Sequence, residues 1–291
     1  LGVPTFLSQF FVVNPIAYFQ ELDKLHALGI EPTVFAHPSC LVTTFADILI
    51  NQRLEDKRGK DRHGSVGVGF RETVERSNVP ELKITLSDLW NRAGSIESKI
   101  AEICDKYATF RLGKPIDEPK MIEAFLKGCW AFADAVHPSG IGACKDPVFE
   151  GSQGLLLDQN NKQFFPHLTS SNTGMQNVRE LWKGEIETYY VSRSYLTRHG
   201  AGPLPGEDSK LRYDDATNVD HPYQGSIRFA PLESLSLKSR CAADNGGKPY
   251  KLVITHCDQE LASCAADFYS HGPTREDIAA GKTPKLLRAT A

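Results

Sequence analysis

Several short stretches of this 291-residue chain hold polar groups that no helix or strand pattern requires. EGSQGLLLDQNNKQFFPHLTSSNTG, residues 150–174, joins an acid, the glycine-flanked Gln153 and a threonine-serine-asparagine cluster that begins at Thr169. RHGSVGVGF, residues 62–70, sets Gly64, Gly67 and Gly69 around Ser65, and such glycines let backbone amides approach a phosphate closely. Arg76, in the RETVERS segment that follows, would add a cation; a bare tight turn and an exposed helix arginine account for the same residues. TRHGAGPLPGE, residues 197–207, has too many glycines and prolines for a regular element, so it is a shaped loop, functional or structural. LVITHCD closes an apolar run with Thr255, His256 and Asp258. A carboxylate there could accept from both N1–H and the 2-amino group of guanine, a donor pair that adenine lacks. A helix N-cap would also explain Asp258.

The elements that must hold these groups alternate between helix and strand. Asn14 and Pro15 read as an N-cap and a first-turn proline, and Ile16, Phe19, Leu22, Leu25 and Leu28 recur at roughly helical spacing before Gly29. A strand is expected at Phe10–Val13 and another at TVFA, residues 33–36. A second helix reads through Phe45, Ile48, Leu49 and INQRLED. A third is signalled by Met121, Ile122, Phe125, Leu126, Cys129, Phe132 and Ala133 on one face. ETYYVSRSYLT (187–197) has the composition of a strand. KLVIT (251–255) reads as a short buried strand, and HCDQELASCAADF as a loop followed by a helix. This order predicts an α/β fold with a largely parallel central sheet and flanking helices; the length permits one large domain or two ordinary ones, and with no obvious linker residues 1–291 are expected to form a single domain. Such folds bind ligands at the carboxyl ends of their strands, which is where His256 and Asp258 fall. GEDSKLRYDDATNVDHPYQG (206–225) reads as a long polar loop.

Composition narrows the partners. The chain is 41% hydrophobic and 24% charged, with a net charge of −3. That balance gives no general attraction for nucleic acid or an anionic membrane, and no run approaches the ~20 apolar residues of a membrane span. Seven cysteines without a Cys-x-x-Cys pair suit free thiols in a reducing cytoplasm. The histidines lack zinc-site spacing. The opening LGVPTFLSQFFVV is apolar but is broken by Pro4 and Gln9 and has no basic leader, so it does not read as a signal peptide.

Taken in order, FEGSQGLLLD, FPHLTSSNTG, YLTRHGAGPLPGE, LVITHCD and SHGPTRED resemble the successive motifs of the adenylosuccinate synthetase family, whose fold is related to the P-loop proteins. The likeness runs from about Asn14 to Asp277. HPYQGSIRFAPLE resembles the shorter branch, with archaeal and phage members. The resemblance implies a homodimeric C–N ligase of purine biosynthesis that uses GTP and Mg2+. It joins L-aspartate to the 6-position of IMP, through a 6-phosphoryl intermediate, to give adenylosuccinate. By position, Gln153 would hydrogen-bond the purine ring, and Thr169 and Ser65 would meet the 5′-phosphate. Arg76 would reach that phosphate from the other subunit. His199 falls beside the ribose, where the family usually has a small apolar residue. Arg228 would hold a carboxylate of aspartate, since its planar fork matches one. Asp258 would read guanine beside His256, which replaces the usual lysine of T-K-x-D, and Ser270, Gly272 and Pro273 would complete the GTP base pocket.

The family's amino-terminal GDEGKGK segment carries the phosphate loop, the aspartate that removes the N1 proton and a magnesium ligand. It is not among these residues. The expectation is therefore an amino-terminally truncated copy with no catalytic or metal residue of its own, and inactive as it stands. Two other readings stand beside it: a divergent synthetase acting on another 6-oxopurine nucleotide such as dGMP, and a non-catalytic nucleotide-binding relative.

Overall fold

The cap signal at Asn14 is realised. In a computed structural model of the chain, which describes residues 3–215 and 218–281, Asn14 Oδ1 accepts from the backbone N–H groups of Ile16 (3.0 Å) and Ala17 (3.1 Å). The described residues form two compact units. The first runs through Glu150 and takes in Thr169–Ser171; the second comprises Gly151–Leu168 and the described residues from Asn172 onward.

In the first unit, β1 (Thr5–Leu7), β3 (Val34–Ala36) and β5 (His137–Pro138) form a three-stranded parallel sheet with β3 in the middle. The strand expected at Phe10–Val13 shortens to β2 (Val12–Val13), which pairs in parallel with β4 (Leu41–Val42). Its first half is spent in a turn, where Phe11 N–H donates to Ser8 O at 2.8 Å. Helix α1 spans Pro15–Ala27 and α2 spans Phe45–Arg58, the latter opened by a reciprocal cap between Thr44 and Asp47. Shorter helices follow at α3 (Phe70–Arg76), α4 (Leu86–Trp90), α5 (Ser95–Glu102) and α6 (Ala108–Leu112). Helix α7 (Pro119–Ala135) buries Phe125, Cys129 and Phe132, as its periodicity predicts, while Met121 in its first turn stays exposed. Ile50, Ile84, Leu86, Leu89 and Ile100 are fully buried in the same core. Each such side chain contributes about 1.5–3 kcal/mol by leaving water.

In the second unit, α8 (Met175–Leu181) precedes β6 (Tyr189–Arg193), β7 (Tyr195–His199) and β8 (Ile227–Pro231). Helix α9 (Ser234–Asp244) leads to β9 (Lys251–Thr255), β10 (Phe268–Ser270) and β11 (Ile278–Ala280). β9 pairs in parallel with β6 on one side and β10 on the other, and β11 closes the edge antiparallel to β10. β7 and β8 make a separate antiparallel ladder.

The single strand expected over residues 187–197 is thus two strands broken at Ser194. Its N–H donates to Thr255 O (2.9 Å) and its hydroxyl to His256 O (2.9 Å), which turns the chain away from the sheet after β6. The helix expected in HCDQELASCAADF does not form. Gln259 and Glu260 N–H both donate to His256 O, and the segment continues as turns that bury Cys257, Ala262 and Cys264. Cys257 and Cys264 alone are spaced as one helix face would space them, and Ala262 lies off it.

Parallel pairing dominates the described strands, and the α/β class expected from the sequence holds. Among the described residues no helix is long and apolar enough to cross a membrane. All seven cysteines are free, and burial pushes the Cys40 and Cys129 thiols up to about 12, so both act as packing groups.

Candidate functional site

β9 and β10 are adjacent and parallel, so the loops that leave their carboxyl ends lie side by side. Cys257 N–H donates to Ser270 O at 3.0 Å and ties them together. This brings His256 and Asp258 to the Ser270–Gly272–Pro273 turn, in a fold whose ligands gather at strand ends. The Ser270 hydroxyl donates to Gly272 O (2.8 Å), and Thr274 and Asp277 cap the short helical turn that follows. His256 has a φ of 60°, and its Nδ1 lies 2.9 Å from Thr255 Oγ1. Burial, and then the Arg193 cation, hold its imidazole below the usual histidine value, so at neutral pH it presents an uncharged ring. Asp258 is exposed, and its carboxylate makes no hydrogen bond or ion pair among the described residues. With no helix after it, the N-cap account of Asp258 fails.

The β7–β8 ladder carries His199 and Arg228. His199 pairs with Ile227, and its Nε2 lies 2.7 Å from Gly225 O, a contact that holds the ring against the opposite chain. Arg228 donates from Nε and Nη2 to Gly200 O (3.1 and 2.8 Å) and from Nη2 to Gly202 O (2.5 Å). Only Nη1 meets a carboxylate, that of Glu207 at 2.5 Å. The fork expected to clasp a ligand carboxylate is therefore mostly engaged by the TRHGAGPLPGE loop, with one face left for an acid. Opposite Arg228 on the ladder stands Arg198, which donates to Ala201 O (2.9 Å) and His167 O (2.8 Å). At Gly202, with a φ of 111°, a Cβ would run into the Arg198 guanidinium, so the motif glycine makes room for this arginine.

Gln153 is exposed and makes no side-chain hydrogen bond among the described residues. Thr169, in the first unit, has its hydroxyl 3.4 Å from that of Ser171. The glycine turn around Ser65 is also in the first unit, and it is internally satisfied. Ser65 Oγ donates to Asn51 Oδ1 (2.9 Å) and accepts from Gly67 N–H (3.1 Å), while Gly69 N–H donates to Asn51 Oδ1 (3.2 Å). Two of the amides that would approach a phosphate are therefore already used. Gly69, at a φ of 78°, lies so close to α2 that a Cβ would meet the Asp47 backbone carbon at 2.8 Å.

Arg76 requires a correction. It is completely buried, with Nε and Nη2 on the two oxygens of Asp47 (2.9 and 3.0 Å), Nη2 also on Val42 O (2.9 Å) and Nη1 on Leu82 O (2.5 Å). A guanidinium bound in this way inside its own chain does not reach a phosphate on another subunit, and it is not an exposed helix arginine either. Asp47, Asn51 and Glu55 are the residues that sequence reasoning missed here. They are buried four apart along α2 and bind Arg76, the Ser65 turn, and His63 N–H with Arg58. Their i, i+4 spacing beside an apolar face was the available signal.

Among the described residues no group of three or more His, Cys, Asp or Glu could hold a metal ion.

A family model described as adenylosuccinate synthetase matches residues 2–223. Curated relatives include adenylosuccinate synthetases of Pseudomonas fluorescens (30% identical over 223 residues) and Pseudomonas syringae (29%). Each alignment covers 71% of this chain and 51% of the relative, so the chain spans about half the length of the curated relatives it matches. Among solved structures, a fully ligated adenylosuccinate synthetase from Plasmodium falciparum aligns with a TM-score of 0.64 at 16% identity, covering 90% of this chain and 64% of that one. A cyanophage S-2L succinoaminodeoxyadenylate synthetase, bound to dGMP and to dATP as an energy donor, aligns at 0.55 and 14%, covering 98% of this chain and 78% of that one. At these identities the two structures speak for the fold alone.

Proposed function

Because the chain belongs to the adenylosuccinate synthetase family, we propose that it carries the base-reading and amino-acid-binding parts of a C–N ligase of purine biosynthesis. The ligase joins L-aspartate to the 6-position of IMP, with GTP as phosphoryl donor, to give adenylosuccinate in the cytoplasm. What supports this reading most is Asp258: an exposed carboxylate that makes no hydrogen bond or ion pair among the described residues, at the end of a parallel strand and beside the Ser270–Pro273 turn. Its two oxygens suit the N1–H and 2-amino donors of guanine, and the uncharged His256 ring offers an aromatic edge next to them. Gln153 and Thr169 are assigned to the purine ring and the 5′-phosphate, His199 to the neighbourhood of the ribose, and Arg228 to a carboxylate of aspartate. Ser65 keeps its phosphate assignment only if its hydroxyl turns from Asn51 to donate to the phosphate, while Arg76 is withdrawn from it. A homodimer remains part of the proposal without that arginine. Phosphoryl transfer itself, and the magnesium it uses, is assigned to no described residue.

A second substrate is favoured by one observation: the cyanophage synthetase that aligns with 98% of this chain holds dGMP. The direct test is an assay on a version carrying the family's GDEGKGK segment, supplied with aspartate, GTP and either IMP or dGMP. Aspartate-dependent formation of an N6-succinyl nucleotide is expected, and the preferred nucleotide separates the two substrates. Absence of product with both would overturn the ligase reading.

In the same version, Arg228→Leu is expected to raise the KM for aspartate at least ~10-fold, since losing a charge-assisted hydrogen bond costs roughly 1.5–3 kcal/mol. The KM for the nucleotide should move much less. Equal effects on both would assign Arg228 to the loop scaffold through Gly200 and Gly202.

A further inference from the structure

The β7–β8 ladder sets two guanidinium groups directly opposite one another, Arg198 and Arg228. Like charges facing across a ladder repel, so the pair must be offset by its surroundings. Burial first, and then the Arg228 charge, hold Arg198 below the usual arginine value. The carbonyls of Gly200, Ala201, Gly202 and His167 satisfy the hydrogen bonds of the pair, but carbonyls are neutral. Glu207 is the one carboxylate that an ion pair brings to either arginine among the described residues, so two cations share one anion. The Glu207 and Arg228 side chains keep 37% and 27% of their surfaces exposed, and a half-exposed ion pair is weak enough for a solute carboxylate to exchange with.

We propose that Glu207 is an internal stand-in for the substrate carboxylate: it sits on Arg228 Nη1 until an external carboxylate displaces it, drawn by the surplus charge of the Arg198–Arg228 pair. The inference rests on the assignment of Arg228 to the aspartate substrate and adds a residue that sets the affinity of that same site. The TRHGAGPLPGE loop thereby supplies both the cradle and its resident competitor. Gly200 and Gly202 accept from Arg228, and Glu207, five residues after Gly202, folds back onto the remaining Nη1. A dicarboxylate fits this arrangement better than a monocarboxylate, because displacing Glu207 leaves Arg198 as a second, uncompensated cation.

Glu207→Gln tests it on the 291-residue chain as it stands. The amide keeps the shape of the glutamate and removes its charge. If Glu207 holds Arg228 in most molecules, the apparent Kd for a carboxylate is raised by the small competent fraction, and removing the competitor should tighten succinate binding by roughly 5–10-fold. Isothermal titration with succinate reads this directly, and the unfolding midpoint in urea confirms that the variant is folded. A purely structural glutamate would give the opposite sign, with weaker binding and a lower midpoint. Arg228→Gln, made alone and together with Glu207→Gln, separates the two layers of the argument. Loss of succinate binding in both, with tightening in Glu207→Gln, is the expected pattern. If Glu207→Gln binds no tighter than the parent while Arg228→Gln weakens binding, the stand-in is overturned and the assignment of Arg228 survives. If Arg228→Gln changes nothing, or no protein in the set binds succinate, that assignment falls as well.

Discussion

Arg76→Leu is expected to lower the free energy of unfolding by about 3–5 kcal/mol, the usual consequence of removing one partner from a buried ion pair. The cause is what remains. Asp47 keeps its bonds to the Thr44 N–H and hydroxyl and to the Thr73 hydroxyl, but it loses the one cation that offsets its charge at a site closed to water. The carbonyls of Val42 and Leu82 lose donors at the same time. Urea unfolding followed by circular dichroism would measure the loss. Arg76→Met combined with Asp47→Leu should recover much of it, because an apolar pair of similar volume leaves no uncompensated charge. A loss below about 1 kcal/mol, within the range of an exposed ion pair, would contradict the burial argument. If phosphate affinity fell as well, Arg76 would return to the ligand-binding residues.

Arg76 also marks the limit of what the sequence carries. Its partner lies 29 residues earlier, on another helix, and no local spacing connects RETVERS to FADILINQRLED. Helix α1 was legible because its signals are local: the Asn14 oxygen, the proline after it and the apolar period all act within a few residues. The same holds for α7 and for β9. The helix expected after Cys257 failed for the opposite reason. Its residues are good helix formers, yet Cys257 N–H is taken by Ser270 on the neighbouring strand, and tertiary pairing overrides propensity. The strand at 187–197 has uniform composition, but Ser194 is drawn to Thr255 and His256 across the fold and the run breaks in two. The site followed the same rule. The motifs marked the right loops, whereas the partners that decide what each side chain can do, Glu207 for Arg228 and Asn51 for Ser65, come from the fold.

The base pocket allows the sharpest test of chemistry, because the Asp258 carboxylate makes no hydrogen bond or ion pair among the described residues that would confuse the result. If its carboxylate accepts from N1–H and the 2-amino group of guanine, Asp258→Asn leaves one oxygen to accept and turns an NH2 toward the second donor. GTP binding should weaken by about 2–4 kcal/mol, the sum of a lost charge-assisted bond and a donor left facing a donor. Xanthosine triphosphate, with an oxygen acceptor at the 2-position, should gain, because the new amide NH2 can donate to it. The change in the ratio of the two affinities is then larger than either change alone, and it is insensitive to a general loosening of the loop, which would weaken both nucleotides together. Competition between GTP and xanthosine triphosphate for the parent and variant chains measures that ratio. The absence of a helix after His256 has already removed the capping explanation, so an unchanged ratio would mean that Asp258 does not read the base at all. The phosphoryl donor would then be open to an adenine nucleotide.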